Sequence, residues 1–295
     1  MATTPPAEVD ITAELVRRLL EDQHPDLASQ PLRPEASGWD NSVYRLGSAL
    51  SVRLPRRSLA AGLLLSEQRW LPTIAALVPV AVPAPVRTGI PTSYYPWSWS
   101  ITPWFPGATV ASVPREERSA FAETLGQVIV ALGQHAPHDA PVNPYRGVPL
   151  AARDASVRER LSSGLIPHAD AAERLWNDAI AQPTWSGAPL WVHGDLHPAN
   201  LIAADGALCS VIDFGDLTSG DPATDLAAAW LVFDPAGRAR FRLAVDAGRP
   251  TDLTTWRRAA GWALVLSTAL LVASDDAPVL RQIGAETLQE LLRDS

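Results

Sequence analysis

The sequence predicts an α+β protein in two parts: a small antiparallel sheet with a packed helix, then a larger and mainly helical region. Three observations predict it. Early in the chain, "NSVYRLG" and "ALSVRLP" alternate apolar and polar residues around a "GSA" turn, the pattern of a hairpin. From "REERSAFAETLGQVIVALGQHA" onward, apolar residues recur at helical spacing. That helical region is interrupted by "LWVHGDLHPANLIAADGALCSVIDFGD", where two strand-forming runs flank an "ADGA" turn at Asp205 and Gly206. The change of pattern near "PWFPGAT" divides the chain into residues 1–106 and 107–295.

The elements follow in order. "ITAELVRRLLEDQ" places Ile11, Leu15, Val16, Leu19 and Leu20 on one helical face, and the prolines of "HPDLASQPLRP" end it. After the hairpin, "LAAGLLLSEQRWLPTIAAL" carries helical spacing. "VPVAVPAPVRTGIPTSYYPWSWSITPWFPG" is proline-punctuated and aromatic, as short strands and loops are. Its Trp97 and Trp99 read as core packing between the two parts. The proline-rich "HAPHDAPVNPYRGVP" reads as a loop crossing the surface of the helical part. "AAGWALVLSTALLVAS" falls short of the roughly 20 apolar residues that span a membrane and reads as a buried helix. Arg257 and Arg258 before it and Asp275 and Asp276 after it oppose the helix dipole, so tertiary burial must hold it.

Composition narrows the class. The chain has 295 residues, 47% of them hydrophobic, ample for a core. One cysteine, Cys209, excludes an internal disulfide and a multi-cysteine metal site, and "MATTPPAEVD" lacks the basic and apolar stretches of a secretory signal; a cytoplasmic address is expected. No lysine occurs anywhere, so every fixed positive charge besides the amino terminus is one of the 24 arginines. Arginines and acids balance before Gly107, so the whole net charge of -8 falls in the second part. That excess repels nucleic acid and favours cationic small molecules, and no membrane partner is expected. Nothing in the sequence speaks to oligomeric state.

The chemistry concentrates in residues 190–216. Gly194 and Pro198 argue against a helix, so His193 and His197 are not the one-face pair of a helical zinc site. A loop after a strand instead aims Asp195 into a cleft. Asn200, five residues on, enters the next strand, and the hairpin returns Asp213 to its neighbourhood. Hard divalent cations such as Mg2+ take oxygen ligands from one or two side chains plus substrate phosphates, which suits Asn200 and Asp213. A carboxylate beside such a site accepts the proton of a hydroxyl attacking phosphorus, which suits Asp195.

"HGDLHPANLI", "VIDFGD" and "GDPATDLAAAW", in this order, closely resemble the aminoglycoside phosphotransferase family, whose fold is protein-kinase-like and bilobal. The resemblance implies residues 1–106 as the nucleotide lobe and 107–295 as the lobe of the catalytic loop and acceptor site. It implies Asp195 as catalytic base, Asn200 and Asp213 on Mg2+, Asp225 bracing the catalytic loop through its backbone, and His193 packing beneath it. "EASGWDNSVYRL" resembles the nucleotide-covering loop, with Asn41 or Ser42 approaching phosphates; it has a single glycine, Gly38. In "LSVRLP", Arg53 stands where this fold carries a phosphate-binding lysine, with Arg56 and Arg57 as rivals, and Glu67 matches the acid that pairs with that cation. "SITPWFPG" resembles the hinge, with the carbonyl of Pro103 and the amide of Phe105 meeting the purine. ATP or GTP with Mg2+ are then the cofactors, and the acceptor is an aminoglycoside or another antibiotic, with Asp216 and late-helix acids as candidates for its cleft. Choline, homoserine and sugar kinases share the motif set. A nucleotide-binding module without turnover is suggested by Arg53 and the glycine-poor loop, and opposed by the presence of Asp195, Asn200 and Asp213 together.

Overall fold

A computed structural model describes residues 6–294, and the chain divides into two compact units. One runs to Ala76 and resumes over Ala81–Pro106; the other comprises Leu77–Val80 and everything from Gly107.

The first unit begins with α1 (Ala13–Gln23), capped by the Thr12 hydroxyl, which accepts from the Leu15 amide. Then come β1 (Leu32–Ser37), β2 (Asn41–Leu46), β3 (Leu50–Pro55), α2 (Ser58–Leu77), β4 (Arg87–Gly89) and β5 (Trp99–Pro103). The strands form one antiparallel sheet in the order β1-β2-β3-β5-β4. Strand periodicity sorts the side chains: Tyr44, Leu46, Val52, Leu54, Trp99 and Ile101 join Val16, Leu19 and Leu20 of α1 in one cluster. Trp99 is fully buried in that cluster and Trp97 packs against it, so both belong to the core of this unit. Across β2 and β3, Val43 stands opposite Arg53, which places Arg53 on the other face, where Gln68 of α2 bonds the Trp99 carbonyl and the Ser100 hydroxyl of β5.

The second unit contains β6 (Ala108–Thr109), α3 (Ala122–Leu132), α4 (Asp154–Ser162), α5 (Ala169–Ile180), β7 (Leu190–Val192), β8 (Leu201–Ala204), β9 (Ala207–Val211), β10 (Thr218–Gly220), α6 (Ala223–Leu226), α7 (Ala228–Val232), α8 (Pro235–Gly248), α9 (Leu253–Ala273) and α10 (Pro278–Arg293). Two small antiparallel pairings matter for the site: β6-β8-β9, and β7 with β10. The turn between β8 and β9 is Asp205 and Gly206, both at positive φ, as a two-residue hairpin turn requires.

α9 is the buried apolar helix, with Trp262, Ala263 and Leu264 fully enclosed. It begins at Leu253, several residues before the apolar run. The Asp252 carboxylate caps it, accepting from the Thr255 amide at 2.6 Å. The expected conflict of Arg258 with the dipole is also absent, because its guanidinium meets the Asp221 carboxylate at 2.8 Å in the interior. No helix among the described residues is long and apolar enough to cross a membrane.

Candidate active site

At the end of β7 the chain turns sharply, and the turn is possible because residue 194 is glycine. Gly194 has φ of 91°, and a Cβ there would lie 2.7 Å from the Asp216 carbonyl oxygen. The loop that follows is tied by its own backbone. Both oxygens of the buried Asp225 carboxylate are used, one accepting from the His193 amide at 2.7 Å and one from the Gly194 amide at 2.8 Å. Burial pushes the Asp225 carboxyl upward, while the nearby His193 ring and the two amide hydrogen bonds oppose that. The fully buried His193 ring spans the site: its Nδ1 accepts from the Asp195 amide at 3.2 Å, leaving Nε2 to donate to the Ile212 carbonyl at 3.1 Å. The centres of its ring and the Phe214 ring lie 4.4 Å apart, the planes tilted by 57°.

This bracing aims Asp195. Burial would raise its carboxyl, but His197 beside it, by charge and hydrogen bond, together with Arg146, holds it well below the usual carboxylate range. The carboxylate is therefore ionised at neutral pH. His197 is buried, with Nε2 3.3 Å from Asp195 Oδ2. Burial lowers this imidazole, yet the negative charges of Asp195 and Asp213 outweigh that and raise it.

Asn200 closes a 3-10 turn, Pro198–Asn200, one residue before β8 begins. Its Nδ2 donates to the Asp195 carbonyl at 2.9 Å and approaches Asp195 Oδ2 at 3.3 Å, which turns its Oδ1 the other way. The Ile212 amide donates to the Asn200 carbonyl at 2.9 Å, so the β8–β9 hairpin closes beside that turn and sets Asp213 next to it. Asp213 has φ of 63°, a left-handed conformation that Asp tolerates better than most residues. An amide oxygen and a carboxylate arranged in this way fit a hard divalent cation, whose ligands are oxygens.

In the first unit, Arg53 and Glu67 form a buried two-point ion pair, 2.6 Å and 3.2 Å between their atoms. Arg56 and Arg57 are occupied elsewhere: Arg56 donates to the Gly38 carbonyl at 2.7 Å and Arg57 pairs with Asp40 at 2.7 Å, both securing the β1–β2 turn. Sheet alternation separates the two phosphate candidates on β2. Asn41 shares the face of Val43 and Arg53, whereas Ser42 lies on the face of Tyr44 and Leu46, buried toward the core. At the end of β5, the Trp104 amide donates to the Ala49 carbonyl, while Ile101 one step earlier in the alternation accepts from Val86 on the opposite side. Pro103 therefore turns its carbonyl to the β4 side, past the last β4 pair at Ile101, and Phe105 follows beyond the end of the strand.

The proline-rich loop between α3 and α4 supplies what sequence reasoning missed. Arg146 donates from Nε to the Gly194 carbonyl at 2.7 Å and pairs with Asp216 at 3.0 Å and Asp195 at 3.7 Å. Asn143 donates to the other Asp216 oxygen at 2.7 Å. Asp216, a sequence candidate for the acceptor cleft, is thus engaged inside the protein; burial raises its carboxyl and Arg146 opposes that. His197 received no role from sequence. Its place between Asp195 and Asn200, within three residues of each, is the sequence signal by which it could have been found.

The sequence pattern of the phosphotransferase enzyme family matches residues 31–262. No curated protein matches the chain. Among solved structures, wild-type aminoglycoside 2'-phosphotransferase-IIIa in its GDP complex superposes with a TM-score of 0.72 at 20% identity, covering 96% of this chain and 99% of that one. A GDP and kanamycin complex of an APH(2") enzyme gives 0.70 at 18% identity, covering 95% and 99%. The apoenzyme of macrolide 2'-phosphotransferase MphH from Brachybacterium faecium gives 0.65 at 24% identity, covering 93% and 98%. The antibiotic kinases thus share this α+β, protein-kinase-like fold over nearly their whole length. With its "HGDLHPAN" loop, its "DFGD" segment and its family pattern spanning both units, the chain belongs to the phosphotransferase enzyme family.

Proposed function

We propose that the protein transfers the terminal phosphoryl group of ATP or GTP to a hydroxyl of an aminoglycoside or another antibiotic. The observation that carries this reading is the arrangement around Asp195: a half-buried, ionised carboxylate on a braced loop, with Asn200 and Asp213 presenting oxygens beside it. Asp195 accepts the acceptor hydroxyl's proton as that oxygen bonds to phosphorus and the bond to the departing nucleoside diphosphate breaks. A carboxylate held so acidic is a weak base, so its contribution is mostly orientation of the attacking hydroxyl. Asn200 and Asp213 hold Mg2+, which when bound neutralises charge on the nucleotide phosphates. The Arg53–Glu67 pair serves the phosphates in place of lysine: the two-point contact holds the guanidinium, a fixed positive charge, in one orientation. Asn41 lies on the same face as Arg53, and the Pro103 carbonyl with the Phe105 amide edges the purine. Similar folds in complexes with GDP and kanamycin, and in a macrolide phosphotransferase, support the acceptor class. The acid excess after Gly107 suits a protonated amine-bearing acceptor.

The test is turnover of ATP and GTP, each with Mg2+, against a panel of aminoglycosides, macrolides, choline, homoserine and sugars, read by an acceptor mass gain of one phosphoryl group. Wild type should phosphorylate at least one antibiotic, and Asp195→Ala should lose about 100-fold or more in kcat. A variant that keeps the wild-type rate removes Asp195 from the role of base; turnover of the metabolites alone removes the antibiotic class.

A further inference from the structure

The loop between α3 and α4 reaches the catalytic loop through a single guanidinium. Arg146 is largely enclosed, with its side chain 18% exposed, and it is held from both sides by backbone contacts of its own segment. The Asn143 amide donates to the Thr218 hydroxyl at 2.9 Å, the Ser219 amide to the Pro141 carbonyl at 3.0 Å, the Asp221 amide to the Gly147 carbonyl at 2.9 Å, and the Gly147 amide to the Thr224 hydroxyl at 3.2 Å. The segment is thus laced to β10 and to the start of α6. A side chain mounted so firmly loses little further freedom when it makes its contacts, which favours precise placement of what it touches.

What it touches is the residue before Asp195. Gly194 is clamped at both peptide groups, its amide by Asp225 at 2.8 Å and its carbonyl by Arg146 Nε at 2.7 Å. The terminal nitrogen of Arg146 reaches Asp216 at 3.0 Å and lies 3.7 Å from Asp195 itself. Asn143 holds Asp216 from the other side at 2.7 Å. A planar fork serves these three groups at once; an ammonium, being a point charge, serves only part of the set. Gly194 has no side chain to fix its own conformation, so the two clamps determine the direction in which the chain delivers Asp195.

We propose that Arg146 is a positioning residue for the phosphoryl transfer: it locks the Gly194 peptide and the Asp195 carboxylate in the orientation required for attack, through a strut from a loop distant in sequence. The inference rests on the reading of Asp195 as base. It predicts a loss in kcat rather than in nucleotide affinity, because Arg146 contacts neither Asn200 nor Asp213.

The experiment uses the full chain as wild type, Arg146→Ala, Arg146→Lys and Asp195→Ala. Two measurements are made: steady-state kinetics with the acceptors phosphorylated in the panel above, and hydrogen exchange of the segment 192–200. Arg146→Ala should lower kcat about 100-fold with nucleotide KM within about threefold. Ethylguanidinium in solution should restore at least about tenfold of that loss, and Arg146→Lys should lie between. Exchange of the 193–195 amides should speed about tenfold in Arg146→Ala while α9 stays protected. Unchanged exchange in that segment overturns the strut whether or not any acceptor is turned over. A kcat equal to wild type, or a loss that guanidinium does not rescue and that accompanies loosening of α9, overturns the positioning role. If Asp195→Ala keeps its rate while exchange speeds in Arg146→Ala, the base assignment fails and the strut stands.

Discussion

At the scale of single residues, the site is built by side chains that satisfy backbone groups as much as by those that face a substrate. Asp225, His193 and Arg146 together occupy the amides of residues 193 to 195 and the carbonyl of Gly194. Gly194→Ala should therefore be damaging twice over, through a φ of 91° and through a Cβ 2.7 Å from a carbonyl oxygen. The backbone strain alone costs about 1–3 kcal/mol, measurable as a lower urea midpoint. Asp213 admits a gentler probe. Asn tolerates the left-handed φ of 63° that this position adopts, so Asp213→Asn keeps the backbone and removes only the charge. Calorimetry should show the Mg2+-dependent part of ATP affinity falling at least about tenfold, about 1.4 kcal/mol, with acceptor affinity little changed. Equal ATP affinity with and without Mg2+ in the wild type, or an unchanged Mg2+ response in the variant, would remove Asp213 from the metal.

Among elements, α9 shows how a helix boundary is decided by a residue outside its apolar run. Asp252 accepts from the Thr254 hydroxyl at 2.7 Å and the Thr255 amide at 2.6 Å, and these bonds hold its carboxyl below the usual aspartate range. Asp252→Ala should cost about 1 kcal/mol in unfolding free energy at neutral pH. Because the folded-state carboxyl is the more acidic, its contribution is complete above the ordinary aspartate pKa and disappears as pH falls through the folded value. The gap between wild type and variant should therefore narrow on acidification, as denaturant titrations at pH 7 and pH 3 will show. The same helix explains what sequence could reveal. Its burial was legible from composition, but its start was not, since the cap precedes the hydrophobic signal. The braced loop after β7 was legible because His193, Asp195 and Asn200 lie within eight consecutive positions, in a segment that resembles the family's, and the roles proposed for them rest on that resemblance. Arg146 was not, because its bond to Gly194 joins residues 48 apart, across helices whose packing no spacing rule encodes. Ser42 and Asn41 read alike as polar loop residues until the hairpin register assigned them to opposite faces.

For the molecule as a whole, the acid excess and the absence of lysine are two sides of one composition. A nucleotide that binds only the folded protein should stabilise it by mass action, by about 2.7 kcal/mol at a hundredfold excess over Kd. Wild type should accordingly show a higher Tm with ATP and Mg2+ than with either alone, and Asp213→Asn should lose most of that gain; no shift in the wild type would contradict nucleotide binding. Position 53 has a further consequence. Amine-directed electrophiles, such as acyl-phosphate nucleotide analogues and sulfonyl fluorides, acylate or sulfonylate an ammonium after it loses its proton, and here they meet a guanidinium paired with Glu67. Reagents that label conventional kinases through that amine will find no side-chain nucleophile of the kind anywhere in this chain, so a covalent inhibitor has to be designed around different chemistry.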